Sequence, residues 1–393
     1  MQIVQGGIVF IDGKFREGFS LLIKQGKIAA IIDKQASSDG EVIDAGGNFV
    51  TPGFIDLHTH GCNGADTMDG TVEAIQAMSA FWPAHGTTSF LPTTMTAAAQ
   101  SIRNSIAAVF RAMKMPSGAD ILGINLEGPF LCSRAKGAHM EELIVNPSVS
   151  FYQSILPENM DIVKIVTVAP DAPDAEELIR YLTENGVVAS IGHTIATYEQ
   201  CQAAFKNGAR HCTHFYNAMS PLKHREPGAV GALLENEDAT IELIADLIHV
   251  HPAALKLAYG LKSSSLIVLI TDSTVATGLK DGKYICGGLE VSVQEGSVRL
   301  LDGTLAGSIL TLDQALRNMT KIGIPMESCI PMLTETPARI VGAGSCKGRI
   351  AKGYDADLVI LDKNLTVKGT MVKGIWRYGF QGDCSKRLKL TES

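Results

Sequence analysis

The chain has 393 residues, 46% of them hydrophobic and 19% charged, with a formal net charge of -7. That composition excludes a disordered chain, and the acidic balance argues against nucleic acid as the main partner, because a phosphate-backbone binder needs a basic face. No run approaches the roughly 18 apolar residues that span a bilayer, and Met1-Gln2-Ile3-Val4-Gln5-Gly6 lacks the charged and apolar regions of a signal peptide. No membrane partner is therefore expected.

In chain order, residues 2–50 read as β-structure. An apolar run at 7–11 meets Asp12-Gly13, a hairpin signal, and further runs at 20–23 and 27–32 are split by Gln25-Gly26. The C-terminal segment has the same texture: a turn-rich stretch leads into an apolar run at 358–361, and 367–377 alternates. Two β-rich ends around a different middle predict one small β-sandwich domain built from residues 1–53 plus 344–393. Eight cysteines (Cys62, Cys132, Cys201, Cys212, Cys286, Cys329, Cys346 and Cys384) stand without C-x-x-C pairing and read as reduced thiols of a cytoplasmic protein.

The middle, 54–343, alternates short apolar runs with amphipathic or Ala-rich stretches. The runs fall at 54–57, 88–92, 121–126, 163–169, 187–191, 212–215, 241–248 and 266–270. Strand–helix alternation points to parallel strands with right-handed crossovers, and eight such units predict an α/β fold of the (β/α)8 TIM barrel class. An open doubly wound sheet is the competing architecture, but no Gly-x-Gly-x-x-Gly follows the first strand.

A TIM barrel carries its chemistry at the C-terminal ends of its strands. His58 and His60 close strand 1, one residue apart, so both imidazoles point to one side and can share a cation. Glu127 closes strand 3, His193 closes strand 5, His214 sits on strand 6 and Asp272 closes strand 8. Each alone reads as an N-cap or a structural histidine; six together at one barrel mouth read as a metal site. Strand 4, ending in Val168-Ala169-Pro170-Asp171, supplies no ligand. Arg225 with the backbone amides of Asn217 and Ala218 is suited to an oxyanion such as phosphate, although a salt bridge with a neighbouring acid is its plainer role. His85, His211 and His251 show no partner pattern and read as structural.

Taken in order, Pro52-Gly53-Phe54-Ile55-Asp56, Leu126-Glu127-Gly128-Pro129-Phe130, Gly192-His193-Thr194, Thr213-His214-Phe215-Tyr216-Asn217-Ala218-Met219, Arg225-Glu226-Pro227-Gly228, Thr271-Asp272 and Leu305-Ala306-Gly307-Ser308 resemble the N-acetylglucosamine-6-phosphate deacetylases of the amidohydrolase superfamily, across essentially the whole chain. The resemblance implies that Glu127, His193 and His214 hold a catalytic divalent metal, zinc, iron or similar, and that Asp272 is the acid/base. It implies that Ala138, His139, Asn217, Ala218, Arg225 and His249 line the amino-sugar phosphate site, with Leu305, Ala306, Gly307 and Ser308 over the sugar. Some members carry amide residues in place of the first His-x-His and bind one metal. This chain keeps His58 and His60, so a second metal bridged by Glu127 is expected to fit. The resemblance also implies a homodimer in which a partner loop completes the phosphate pocket. The expected reaction is hydrolysis of the acetamide to acetate and glucosamine 6-phosphate, in amino-sugar catabolism or cell-wall recycling. The metal would lower the pKa of its water from about 15.7 towards 7. Asp272 would pass the water proton to the leaving nitrogen. The competing readings are N-acetylgalactosamine 6-phosphate as substrate, a cyclic-amide or dipeptide hydrolase on the same barrel, and a catalytically silent assembly barrel; the last should have lost its ligands.

Overall fold

The computed structural model describes residues 1–33 and 40–380. Cys384 and the end of the second terminal segment lie outside the described residues.

Eight parallel strands form the barrel: β1 (Phe54–Thr59), β2 (Thr87–Thr94), β3 (Ile124–Leu126), β4 (Val163–Val168), β5 (Val188–Ile191), β6 (His211–Cys212), β7 (Thr240–Ile244) and β8 (Ile267–Ile270). They pair in chain order, for example Ile165 with Val188 in β4–β5 and Ile241 with Ile267 in β7–β8. A separate two-residue piece, Asp120–Ile121, pairs with β2 just before β3. The barrel closes between β8 and β1 at its upper end: the Asp272 amide donates to the His58 carbonyl at 2.9 Å and the His60 amide to the Ser273 carbonyl at 2.8 Å. His58, His60 and Asp272, candidate site residues by sequence, thus take part in closing the barrel.

A helix follows each strand: α1 (Val72–Phe81), α2 (Ala99–Ala112), α3 (Val149–Ile155), α4 (Ala175–Glu184), α5 (Tyr198–Lys206), α6 (Gly228–Glu235), α7 (Pro252–Leu261) and α8 (Leu312–Lys321). Their starts are written locally. Thr71 accepts from the Ala74 amide, and Thr197 with Gln200 forms a capping box at α5. Each helix lays an apolar stripe on the barrel. In α4 this stripe is Ala175, Leu178, Ile179 and Leu182, all buried.

The termini build two further sheets. One has the order Lys27–Asp33, Phe19–Lys24, Gln2–Gln5, Glu41–Asp44; the other runs Ile375–Tyr378, Val367–Val372, Leu358–Leu361, Phe49–Pro52, Ile8–Ile11, Lys14–Arg16. The Asp12-Gly13 turn joins Ile8–Ile11 to Lys14–Arg16 as the sequence signal predicts, with φ of 50° and 75°. Val4, Val9, Leu21, Ile28, Val50, Leu358, Ile360 and Met371 form one buried cluster drawn from both sheets and both chain ends.

A buried ion cluster ties these sheets to the barrel. Lys347 is 4% exposed, and its Nζ lies 2.7 Å from Asp357 Oδ2 and 3.1 Å from both Asp120 Oδ2 and Asp355 Oδ2. Burial works against its charge, but the three carboxylates outweigh burial and raise its pKa.

Between β8 and α8 the chain inserts a three-stranded antiparallel sheet, Gly282–Cys286, Leu289–Gln294 and Ser297–Leu300. Sequence reading marked only Leu305, Ala306, Gly307 and Ser308, just beyond its end. The missed strands alternate cleanly, with Val291 and Val293 buried between exposed residues. They pack with Met95, Val275, Cys286 and Ala306 over the barrel mouth.

Candidate metal centre and substrate cavity

Strand ends deliver the cluster. His58 is in β1 and His60 just beyond it; Glu127 directly follows β3; His193, His214 and Asp272 each stand two residues past β5, β6 and β8. The expectation that His214 sits on strand 6 needs correction. β6 ends at Cys212, and His214 has φ of 27°. His193 and Asp272 also take positive φ, 46° and 50°. That conformation is strained for residues with a Cβ, and here it turns side chains from strand ends into the mouth. Gly128 leaves β3 at φ +88°, where a Cβ would lie 2.1 Å from Thr96 Oγ1, so glycine is required immediately after Glu127.

Glu127 lies between two groups of imidazoles. Its Oε1 is 2.7 Å from His214 Nε2 and 3.1 Å from His193 Nε2; its Oε2 is 3.1 Å from His60 Nε2 and 3.5 Å from His58 Nε2. Asp272 Oδ1 joins the second group, 3.2 Å from His60 Nε2 and 3.5 Å from His58 Nε2. Four ligands about 2.1 Å from one ion would stand about 3.4 Å apart. The spacing would suit two coordination shells sharing one carboxylate.

Tautomers test that fit. His60 Nδ1 donates to the Thr93 carbonyl at 3.2 Å, His193 Nδ1 to the Ala135 carbonyl at 2.8 Å, and His58 Nδ1 to Glu242 Oε2 at 3.0 Å. Carbonyls and carboxylates only accept, so these rings carry the proton on Nδ1 and present the Nε2 lone pair inwards when neutral. That is the arrangement of a metal-binding histidine with its outer partner. His139 is the opposite. Its Nδ1 accepts from the Thr96 amide at 3.2 Å and meets the Thr96 hydroxyl at 2.9 Å, so the neutral ring carries its proton on Nε2. Glu127, His139 and His193 are close enough to form a metal group by distance. The tautomer nevertheless makes His139 a donor facing the cavity rather than a ligand.

The electrostatics agree. Burial opposes ionisation of Glu127, yet the nearby His58 charge and the hydrogen bonds from His139, His193 and His214 hold its pKa well below the ordinary value. Asp272 is likewise lowered, by His58 and His60 against burial. Burial lowers the histidine pKa values, but the carboxylates overcome it and raise His60 to about 9 and His58 well above its usual value. Burial dominates at His139, whose pKa falls to about 4. Buried negative charge of this density favours any cation that can replace those protons.

A cavity of about 540 Å³ opens above the cluster. Ala138, His139, Asn217, Ala218, His249, Leu305, Ala306 and Gly307 line it together with His60, Glu127, His193, His214 and Asp272. Ser308 is buried behind the wall: its amide donates to the Asp272 carbonyl at 2.7 Å and its hydroxyl to the Thr271 carbonyl at 2.6 Å, so it braces Asp272. His249 is held by Asp246 at 2.6 Å. Arg225 is exposed and is not among the residues lining the cavity. Two arginines that sequence reading passed over, Arg134 and Arg299, stand at the cavity instead. Sequence reading also missed Glu242, and it took His211 as structural; His211 Nε2 donates to Glu242 Oε1 at 3.1 Å. A glutamate within an apolar β7 run was the available signal.

The model of the amidohydrolase family matches residues 49–377. The chain belongs to the amidohydrolase family. This amidohydrolase is 41% identical to the N-acetylglucosamine-6-phosphate deacetylase of Bacillus subtilis (strain 168), with 90% of this chain and 91% of that protein covered. It is 37% identical to an N-acetylgalactosamine-6-phosphate deacetylase of Escherichia coli O157:H7, covering 90% and 93%. Among solved structures it is similar to the N-acetylglucosamine-6-phosphate deacetylase of Pasteurella multocida, with a TM-score of 0.91 at 30% identity over 95% of this chain and 99% of that one. The open doubly wound sheet is set aside by the barrel itself. No helix of the described residues is long and apolar enough to cross a membrane.

Proposed function

We propose that this amidohydrolase hydrolyses the acetamide of N-acetylglucosamine 6-phosphate, releasing acetate and glucosamine 6-phosphate. The observation that carries this reading is the carboxylate-bridged histidine cluster beneath a cavity walled by Asn217, Ala218 and His249, in a chain sharing 41% identity with a deacetylase of that sugar phosphate.

Glu127, His193 and His214 would hold one divalent cation, and Glu127, His58 and His60 a second. Bound there, such a cation supplies Lewis acidity and a water of lowered pKa. The chain does the rest. Asp272, ionised in the resting site, accepts the proton from the attacking water and returns it to the departing nitrogen. His139 offers its Nε2–H to the acetyl carbonyl oxygen, where negative charge develops. Asn217, Ala218 and His249 orient the phosphate end, and Ala306 and Gly307 cover the sugar. Arg225 reaches the phosphate from a partner subunit in a homodimer, consistent with its exposure. The barrel, 54–343, carries the site, and residues 1–53 with 344–393 act as its scaffold domain. A cytoplasmic location suits the seven free cysteines of the described residues.

The test is kcat/KM for N-acetylglucosamine 6-phosphate, its galacto epimer and plain N-acetylglucosamine, with wild type and Arg225→Ala. The expected result is a loss of orders of magnitude without the phosphate. Arg225→Ala should act mainly on the phosphorylated sugars. A wild type indifferent to the phosphate would refute the sugar-phosphate assignment. Preference for the galacto epimer would shift it to the reaction of the E. coli O157:H7 relative.

A further inference from the structure

Glu242 has no part in the reaction as derived above, yet it is fully buried directly beneath the cluster. It lies on β7, and its Oε2 accepts from His58 Nδ1 at 3.0 Å and from the His214 backbone amide at 3.0 Å. Its Oε1 accepts from His211 Nε2 at 3.1 Å, and His211 Nδ1 meets the Thr240 hydroxyl at 2.7 Å. Among the described residues no lysine or arginine lies within 4.0 Å of this carboxylate; its side-chain partners at that distance are the imidazoles of His58 and His211.

We infer that Glu242, held in place by His211, is a positioning residue that makes the His58/His60 side of the centre a cation site. The inference rests on the metal-dependent reading above. The hydrogen bond from Nδ1 fixes the His58 ring so that its Nε2 lone pair faces Glu127 and Asp272, and it increases the ring's basicity. His211, on the other oxygen, keeps the carboxylate in that place.

The experiment measures zinc bound per subunit when metal-stripped protein is titrated with Zn2+ against a competing chelator, for wild type, Glu242→Gln, His58→Asn and the double variant. Co2+ absorption of the same proteins reports the geometry of the retained site. Loss of an outer partner typically weakens metal binding about 10–100-fold. Glu242→Gln should therefore weaken one of two zinc equivalents by that factor and leave the other, on Glu127, His193 and His214, at wild-type affinity. Adding it to His58→Asn should change zinc binding no further. His211→Leu should weaken the same equivalent, and it carries the test if Glu242→Gln fails to fold. Wild-type affinity at both equivalents, equal weakening of both in a folded variant, or a wild type holding a single zinc that Glu242→Gln leaves untouched would each overturn the inference. A wild type that binds no zinc, iron or cobalt would instead refute the metal-dependent reading beneath it.

Discussion

His139→Gln separates a hydrogen-bond donor from a metal ligand. The side chain is 3% exposed, and its Nδ1 is committed to the Thr96 amide, so Nε2–H is its only group free to face the cavity. Nε2 stands 3.5 Å from Glu127 Oε2, the oxygen shared with the His58/His60 side, which puts the donor beside the place proposed for the acetyl carbonyl. Loss of one preorganised donor to a developing oxyanion costs about 2.7–4 kcal/mol, or roughly a hundred- to a thousandfold in kcat. Because the same oxygen would also face a cation, the lower end of that range is expected. Metal content should stay at the wild-type value. The pKa near 4 adds a second check: the ring stays neutral above about pH 4, and Nε2 carries its proton in either state. Removing His139 should therefore lower the whole kcat–pH profile without moving an inflection near neutrality. The assay pairs kcat between pH 5 and 9, roughly the span in which catalytic groups titrate, with metal analysis of the same sample. A variant that loses metal in step with activity would show that His139 is a ligand and that the tautomer assignment is wrong.

Asp272→Asn keeps the shape of the side chain but cannot accept a proton, so turnover should fall by about a hundred- to ten-thousandfold while substrate still binds, as read by calorimetry. Near-normal turnover would remove Asp272 from the acid/base role. Because the carboxylates raise His58, His60 and His214 above the ordinary histidine range, a cation must displace protons to bind. Zinc affinity should then rise with pH, about tenfold per unit for each proton released, between about pH 6 and 8; a flat profile would contradict the assigned charges. Lys347→Met leaves Asp120, Asp355 and Asp357 facing one another without their shared cation, and should destabilise the fold by about 3–5 kcal/mol in urea unfolding. An unchanged midpoint would mean that this cluster does not hold the terminal sheets to the barrel.

Much of this protein follows from its sequence alone. Periodicity is a local property, so the eight barrel strands, the Asp12-Gly13 hairpin and the alternation of strands with helices were legible from apolar spacing and turn residues. The chemistry-bearing residues were legible for a related reason: a parallel barrel always exposes the ends of its strands on one face, so His58, Glu127, His193 and Asp272 declare themselves by standing where apolar runs stop. Tertiary structure alone decided how those residues divide the work. Only the packed barrel brings the Thr96 amide against His139 Nδ1, 43 positions away, and sets that ring as a donor beside rings whose Nε2 atoms face Glu127. Only β7 lying beside β6 places Glu242 between His58 and His211, 184 and 31 positions away in the chain. In sequence Glu242 is one acid in an apolar run, a signal that it is special but not of which residues it meets. The Lys347 cluster gathers three aspartates in the same way, and the sheet 282–300 becomes a wall of the cavity only because it folds back over the barrel mouth. Arg225 marks the opposite limit. Its neighbours Asn217 and Ala218 reach the cavity, but its own loop leaves it in solvent, and proximity along the chain did not become proximity in space. Strand and helix periods depend on neighbours a few residues apart; proton positions, buried charge and cavity walls depend on contacts between residues that only the closed barrel brings together.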